Sequence, residues 1–400
     1  MSKFWQAVIL AAVAFLVTLL VYPLVLKFAV RHHIYDNPDA RKLQRQPVPV
    51  MGGVAVWIGV MVAIVISFFV MHSGVMVYGL VAMTIMLLVG CWDDMSDVSP
   101  YIRFLVEVLV VWALMNLTGA SIDSFHGLWG IQEIGPAISI PLSIIAGVGI
   151  INAINLMDGV NGYSSGFGML ACFFFAASFF FSHNFSMGAL CIVTGAALLP
   201  FYLHNAFGKS SRMFIGDGGT LMLGTLLTLC VFCTLSKDAP SITLENNGIG
   251  LAAFTLAVMG IPVFDTLRVM FTRIIHGLSP FHPDKTHLHH IFIDCGFSHI
   301  GTSTTILLLQ LLVVFLGWLS WKLGASIDLQ FYIVIAVDLL FTFGLYLSVK
   351  RSRERRGKLY QFFIYVGRKM RLNEHSLFQL VRRIMDRKFM GVDYDKETNS

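Results

Sequence analysis

Apolar runs of about twenty residues recur along most of the chain, and each is long enough to cross a bilayer as a helix, which takes roughly 17–25 such residues. Eleven lie near 4–26, 52–71, 76–92, 101–119, 137–152, 166–182, 186–203, 219–235, 249–270, 302–321 and 328–349. The expected fold is therefore all-α, a polytopic membrane protein of about eleven transmembrane helices. Composition agrees: 56% of the 400 residues are hydrophobic and 13% are charged, where soluble domains carry about 25% charged residues. The first run is long and has no clear small-residue cleavage site, so it reads as a retained anchor rather than a signal peptide.

Basic residues set the expected orientation, because Lys and Arg collect in cytoplasmic loops. Alternate loops hold eleven of them, the tail from Lys350 holds fourteen, and the opposite side holds Lys3, Lys237 and Lys322. This places the N-terminus outside and the C-terminus in the cytoplasm, with a transmembrane body over 1–349 and a basic tail over 350–400. The tail carries fourteen basic and six acidic residues, the body fourteen and seventeen. With no folded basic module, nucleic acid is not expected as a partner. The basic stretch Lys350–Lys358 and the largely apolar Leu359–Met370 read as an interfacial segment drawn to anionic membrane lipid. Cys230 and Cys233 sit inside an apolar run and read as packing residues.

Against this background, polar clusters at the span ends stand out, and all of them fall on the basic side. Asp93, Asp94 and Asp97 follow the third run. Ionisable groups at membrane depth are costly and mark sites, and at a helix end all three can converge on one hard cation. Gly52 and Gly53 open the second run, where bare N–H groups can approach an anion. Asn152, Asn155 and Asp158 share a helix face by spacing, and Asn161 follows. Asp217 stands between glycines before the eighth run and reads either as a metal ligand or as an N-cap. Asp265 lies inside the ninth run, either functional or paired with Arg268 one turn on. His287, His289 and His290 have no cysteine beside them, so contact with phosphate suits them better than zinc.

In order, these pieces are N-P-x-x-R-K…P-x-x-G-G, Asp93-Asp94-x-x-Asp97, Asn155-x-x-Asp158-Gly159, Phe214-x-Gly216-Asp217 and Pro283-Asp284-Lys285-x-His287-Leu288-His289-His290. Together they resemble the polyprenyl-phosphate N-acetylhexosamine-1-phosphate transferases of glycosyltransferase family 4. The resemblance implies transfer of a sugar-1-phosphate from a UDP-N-acetylhexosamine to a polyprenyl phosphate, with release of UMP and with Mg²⁺ or Mn²⁺ as cofactor. It implies a bacterial inner-membrane enzyme with a cytoplasmic site that initiates a lipid-linked envelope glycan such as lipopolysaccharide; a homodimer is left open. D-D-x-x-D and H-x-H-H are similar to the N-acetylglucosamine branch rather than the muramoyl-pentapeptide branch. Asn161 stands where the family usually has an acid.

On this resemblance, Asp94 and Asp217 are expected to hold the metal, and Asp93 to bind metal or orient the lipid phosphate, with Asp97 in support. Asp158, His287, His289 and His290 complete the catalytic set. Asn155, Asn161, Asn205, Phe214, Arg273, Gly52 and Gly53 are expected to bind substrate, Phe214 by stacking on uracil. A cation transporter using Asp93, Asp94 and Asp265 is the rival class, but it gives no reason for glycines and histidines clustered on one side. A structural scaffold leaves the motifs unexplained.

Overall fold

The computed structural model describes residues 2–38, 43–44, 46–71, 74–96, 98–280 and 285–387. Each expected span is a helix. The order is α1 (Lys3–Arg31), α2 (Gly52–Met71), α3 (Gly74–Ser96), α4 (Pro100–Thr118), α5 (Pro136–Leu156), α6 (Tyr163–Phe181), α7 (Phe185–Phe207) and α8 (Gly216–Leu235). Then come the short α9 (Ile242–Glu245), α10 (Leu251–Ile275), the short α11 (Leu288–Asp294) and α12 (His299–Lys322). α13 (Ile327–Leu339) continues through a π turn into α14 (Leu345–Glu354), and α15 (Lys358–Lys369) and α16 (Ser376–Asp386) end the fold. Among the described residues ten stretches are long and apolar enough to cross a membrane, α13–α14 counting as one, and α2 adds the shorter Gly52–Phe68. Two-residue strands, β1 (Tyr35–Asp36) and β2 (Val48–Pro49), pair antiparallel between α1 and α2.

Local chemistry sets the helix ends. Pro100 and Pro136 open α4 and α5 at positions whose N–H has no partner to lose, and Gly119 closes α4 in the left-handed region at φ +67.

The bundle is organised around α8, whose apolar window is buried on all sides. Lipid is as apolar as leucine, so this burial comes from close packing rather than from escape from water. Small residues give α8 the contact surfaces it needs. A Cβ on Gly90 of α3 would stand 2.4 Å from the Gly218 nitrogen, and one on Gly224 would stand 2.7 Å from the Ile151 Cα of α5. Gly53 of α2 meets Gly219 in the same way, at 2.3 Å. Three helices thus press backbone to backbone against the start and middle of α8.

This packing gathers the ends of α3, α5, α7 and α10 with the starts of α8 and α12 at one end of the bundle, around a large cavity. Lys3, at the start of α1, lies over the Phe185 ring at the start of α7, at the other end. Cys230 and Cys233 are buried and free.

Candidate active site

Asp93 and Asp94 end α3, and each has a different task. Asp94 faces the start of α8, where its Oδ1 accepts the Asp217 N–H at 3.0 Å and its Oδ2 the Gly218 N–H at 3.3 Å. A helix N-terminus carries unpaired N–H groups and the positive end of the dipole, so a carboxylate is stable there. Gly216 permits the approach: its φ is +76, and a Cβ would lie 2.5 Å from Asp94 Oδ2. The cap of α8 is therefore supplied from another helix, and Asp94, expected to hold the metal, instead has both oxygens engaged by backbone N–H groups. Asp217, the second alternative for that cap, instead turns its carboxylate to Asn155 Nδ2 at 2.9 Å and to Arg103.

Arg103 of α4 is the hub of the cluster. Its Nη1 lies 3.1 Å from Asp93 Oδ2 and 3.4 Å from Asp217 Oδ2. Its Nη2 donates to Asn152 Oδ1 at 3.3 Å and Asn155 Oδ1 at 3.4 Å, and its Nε faces buried Glu107 Oε1 at 3.3 Å. Asn152 Nδ2 donates to the other Glu107 oxygen. In the sequence, Arg103 counts only toward orientation and Glu107 carries no expectation. The signal was present as an Arg and a Glu four residues apart, inside an apolar run.

Among the described residues no three His, Cys, Asp or Glu side chains form a ready-made metal cage. Oxygens of Asp93, Asp217, Asn152 and Asn155 nevertheless converge on one cationic group. Mg²⁺ takes one or two carboxylates and fills its octahedron with water and substrate phosphate. The donor set fits such an ion.

The opposite wall comes from α10 and the segment entering α11. Buried Asp265 accepts from Arg268 Nη2 at 2.6 Å, from His287 Nδ1 at 3.0 Å and from the Leu288 N–H at 3.0 Å. The pairing alternative for Asp265 holds, and it serves the site by aiming His287. Fixing one imidazole nitrogen on a carboxylate sets which nitrogen is offered to a ligand. His289 stacks parallel to His287 and packs on Gly159, where a Cβ would meet its Nε2 at 2.2 Å. Burial, with the charges of His290 and His287, pushes His289 well below the usual imidazole range, so it is neutral at pH 7.

Between the walls, the loop after α5 carries Asp158, which accepts from Ser164 Oγ at 2.6 Å. Asp158 opens onto the cavity but is enclosed by its walls. Burial there pushes its pKa up to about 6, the Ser164 bond lowers it, and the charges of Asp217 and Asp36 raise it. The cavity's own solvent tempers that rise.

Asn205 Oδ1 accepts the Gly162 N–H at 2.6 Å, and its Nδ2 donates to Met213 O at 2.9 Å. It ties this loop to the one carrying Phe214. Burial and the nearby Arg382 lower the Arg212 pKa. Arg273 Nη1 donates to Pro280 O at 2.6 Å.

The cavity, about 920 Å³, is lined by Asp93, Asp94, Asn155, Asp158, Asn161, Asn205, Phe214, Asp217, Arg273, His287, His289 and His290. Asp36, Gln44, Arg212 and His299 also line it, and sequence reasoning did not single them out for it. Asp97, Pro283 and Asp284 lie outside the described residues.

Gly52 and Gly53 are corrected. Their N–H groups are committed to Phe214 O and Ile215 O, each at 2.8 Å, so neither is free for an anion. They are glycine because Phe201 and Gly219 lie where a Cβ would be.

Residues 76–235 match the family model described as Glycosyl transferase family 4, a stretch holding Asp93, Asp94, Asp158 and Asp217 but not Asp265 or His287, His289 and His290. The undecaprenyl-phosphate alpha-N-acetylglucosaminyl 1-phosphate transferase of Escherichia coli (strain K12) is 27% identical over 353 residues, 87% of this chain and 91% of that protein. The transferase of the same name from Salmonella typhi is 25% identical over 289 residues, covering 71% and 76%. A Bacillus subtilis (strain 168) protein, "Probable undecaprenyl-phosphate N-acetylglucosaminyl 1-phosphate transferase", is 26% identical over 346 residues, covering 86% and 91%.

Proposed function

We propose that this chain, a multi-pass membrane phosphosugar transferase of the glycosyl transferase family 4 kind, moves N-acetylglucosamine-1-phosphate from UDP-N-acetylglucosamine to undecaprenyl phosphate. The products are undecaprenyl-diphospho-N-acetylglucosamine and UMP. One observation carries the reading: Asp93, Asn155 and Asp217, gathered behind the wall by Arg103, and the Asp265-held His287 line the same cavity. It is large enough for a nucleotide sugar. The sugar choice rests on the D-D-x-x-D and H-x-H-H motifs and on the relatives' names.

The reaction joins two anions. An oxygen of the lipid phosphate attacks the β-phosphorus, and the bond from that phosphorus to the bridging oxygen breaks as UMP leaves with it. A phosphate monoester is already largely ionised near neutral pH, its second pKa being about 6. Positioning and charge neutralisation therefore matter more than a general base. Asp217, with Asn155 and Asp93, would hold Mg²⁺ or Mn²⁺, which supplies positive charge to the pyrophosphate oxygens. Arg103 adds a fixed positive charge beside them. Asp94 holds the start of α8 in register. As the imidazolium, with Nδ1–H on Asp265, His287 donates its Nε2–H to a phosphate oxygen, His289 and His290 line the same wall, and Arg273 reaches the sugar-phosphate. Asn161 and Phe214 hold the uracil, and the isoprenoid lies between spans. The excess of Lys and Arg in the loops at this end supports its facing the cytoplasm, where a nucleotide sugar would be supplied.

The test is UMP release by purified protein with undecaprenyl phosphate, Mg²⁺ and, in separate reactions, UDP-N-acetylglucosamine, UDP-N-acetylgalactosamine and UDP-N-acetylmuramoyl-pentapeptide. Release with the first substrate alone is expected. Turnover of either of the other two with none of the first would overturn the sugar assignment.

A further inference from the structure

The C-terminal helices have two faces with different partners. On α16, Phe378, Arg382 and Asp386 form the inward line at i, i+4 and i+8. Phe378 packs on Phe207 with ring centroids 5.0 Å apart, and Arg382 Nε donates to Phe207 O. Buried Asp386 Oδ1 accepts the Lys209 N–H at 3.0 Å, the Ser211 N–H at 3.0 Å and the Ser211 hydroxyl at 2.9 Å. These donors belong to the loop that continues through Arg212 to Phe214 in the cavity wall. The chain between α15 and α16 braces the other flank: Ser298 Oγ donates to Met370 O at 3.1 Å, and Arg371 Nε to Gly296 O. That flank leads back to the histidines.

The outward faces are apolar and uncovered. Leu377, Leu380 and Ile384 on α16, and Leu359, Phe362 and Tyr365 on α15, are between 40% and 71% exposed. Around them, residues 350–387 hold twelve lysines and arginines against three acids, one of which is the buried Asp386. An apolar stripe flanked by cations, placed directly after a membrane span, matches an anionic bilayer surface.

We propose that α15 and α16 lie on the anionic lipid surface by their outward stripes, and that through Asp386 this contact steadies the 209–214 loop of the nucleotide-sugar pocket. Asp386 is a positioning residue: it touches the loop and not the substrate. Lipid charge then becomes an input to substrate binding, because the same helix reads the surface on one side and holds the loop on the other.

The test uses the full chain in nanodiscs of phosphatidylcholine alone or with phosphatidylglycerol, read by hydrogen exchange at 209–214. Exchange should be roughly tenfold slower in the anionic discs, as expected when local opening is suppressed. The double variant L380E/I384E should abolish the difference. Equal exchange in both discs, or a difference that survives L380E/I384E, overturns the lipid contact.

Asp386→Ala should speed exchange at Lys209 and Ser211 in both discs. It should also raise KM for UDP-N-acetylglucosamine about three- to tenfold, with kcat held within about twofold, from lost hydrogen bonds. Asp386→Asn, which keeps one acceptor oxygen, should fall between, and unchanged α8 exchange certifies that it is folded. No change at Lys209 and Ser211 in either variant overturns the role of Asp386. Exchange needs no turnover, so its outcome is independent of the sugar assignment.

Discussion

Arg103 Nη1 lies 3.4 Å from Asp217 Oδ2, joining α4 to the first turn of α8 across 114 positions of sequence. Asp93 shares the same nitrogen at 3.1 Å, so the acids at the ends of two helices are drawn together by a cation from a third. Without such a charge, carboxylates this close repel one another and resist ionisation. The arrangement holds an anionic cluster ready for a second cation and a phosphate.

Asp217→Asn and Asp93→Asn should each lower kcat by about a hundredfold or more, the scale of losing a key electrostatic group. Asp217→Asn should also raise the Mg²⁺ concentration needed for half-maximal UMP release. Full wild-type activity in excess chelator would rule out the cation.

Removing Arg103 should cost stability as well as rate. Glu107 is 1% exposed and would lose its ion pair, and an uncompensated buried charge costs about 3–5 kcal/mol. Arg103→Ala should therefore lower Tm, and Arg103→Ala combined with Glu107→Gln should recover much of that loss without recovering kcat. If the two stability changes simply add, the pair is not coupled.

The activity of the wild type should fall on the acid side with an apparent pKa near 6. The cavity walls, with Asp217 and Asp36, raise Asp158 above the ordinary carboxylate range, and the Ser164 bond and the cavity's solvent hold that rise back; we assign the working form as the anion. The linkage has the opposite sign for stability. Between the unfolded value of about 4 and the folded value, the native state binds the extra proton, so this group favours folding less as pH rises through that window. Asp158→Asn should lower kcat and reduce the steepness of the acid limb to that of one ionisation, the one left being the lipid phosphate's own second pKa of about 6; an acid limb unchanged in shape would show that Asp158 does not titrate in turnover.

Asn161 is buried in the cavity wall and offers both a donor and an acceptor, which suits the mixed edge of uracil. Asn161→Leu should raise KM for the UDP-sugar by a hydrogen bond's worth, about 0.5–1.5 kcal/mol, while Asn161→Asp stays active with an altered KM. An unchanged KM in Asn161→Leu would reduce the residue to a turn-former.

The sequence determined by itself what depends on local composition. Span length and hydropathy set eleven helices, because a bilayer demands unbroken apolar runs and a helix satisfies its own backbone. Motif spacing picked out Asp93, Asp158, Asp217 and the histidines, because carboxylates and imidazoles at span ends are too costly to be incidental.

Tertiary structure decided the partners. Gly52 and Gly53 looked like bare anion donors, yet their N–H groups bind the carbonyls of residues 214 and 215, over 160 positions away. Asp217 looked like a possible cap, yet Asp94 on another helix caps α8. Arg103 counts in the sequence only toward orientation and Glu107 carries no expectation, yet the two tie together the acid cluster. Asp386 lay in a tail that composition described as merely basic, and it clasps a loop 175 residues earlier. In each case the residue's role is fixed by a hydrogen bond whose other end is distant in sequence, and only the packing of helices around α8 brings the two ends within reach.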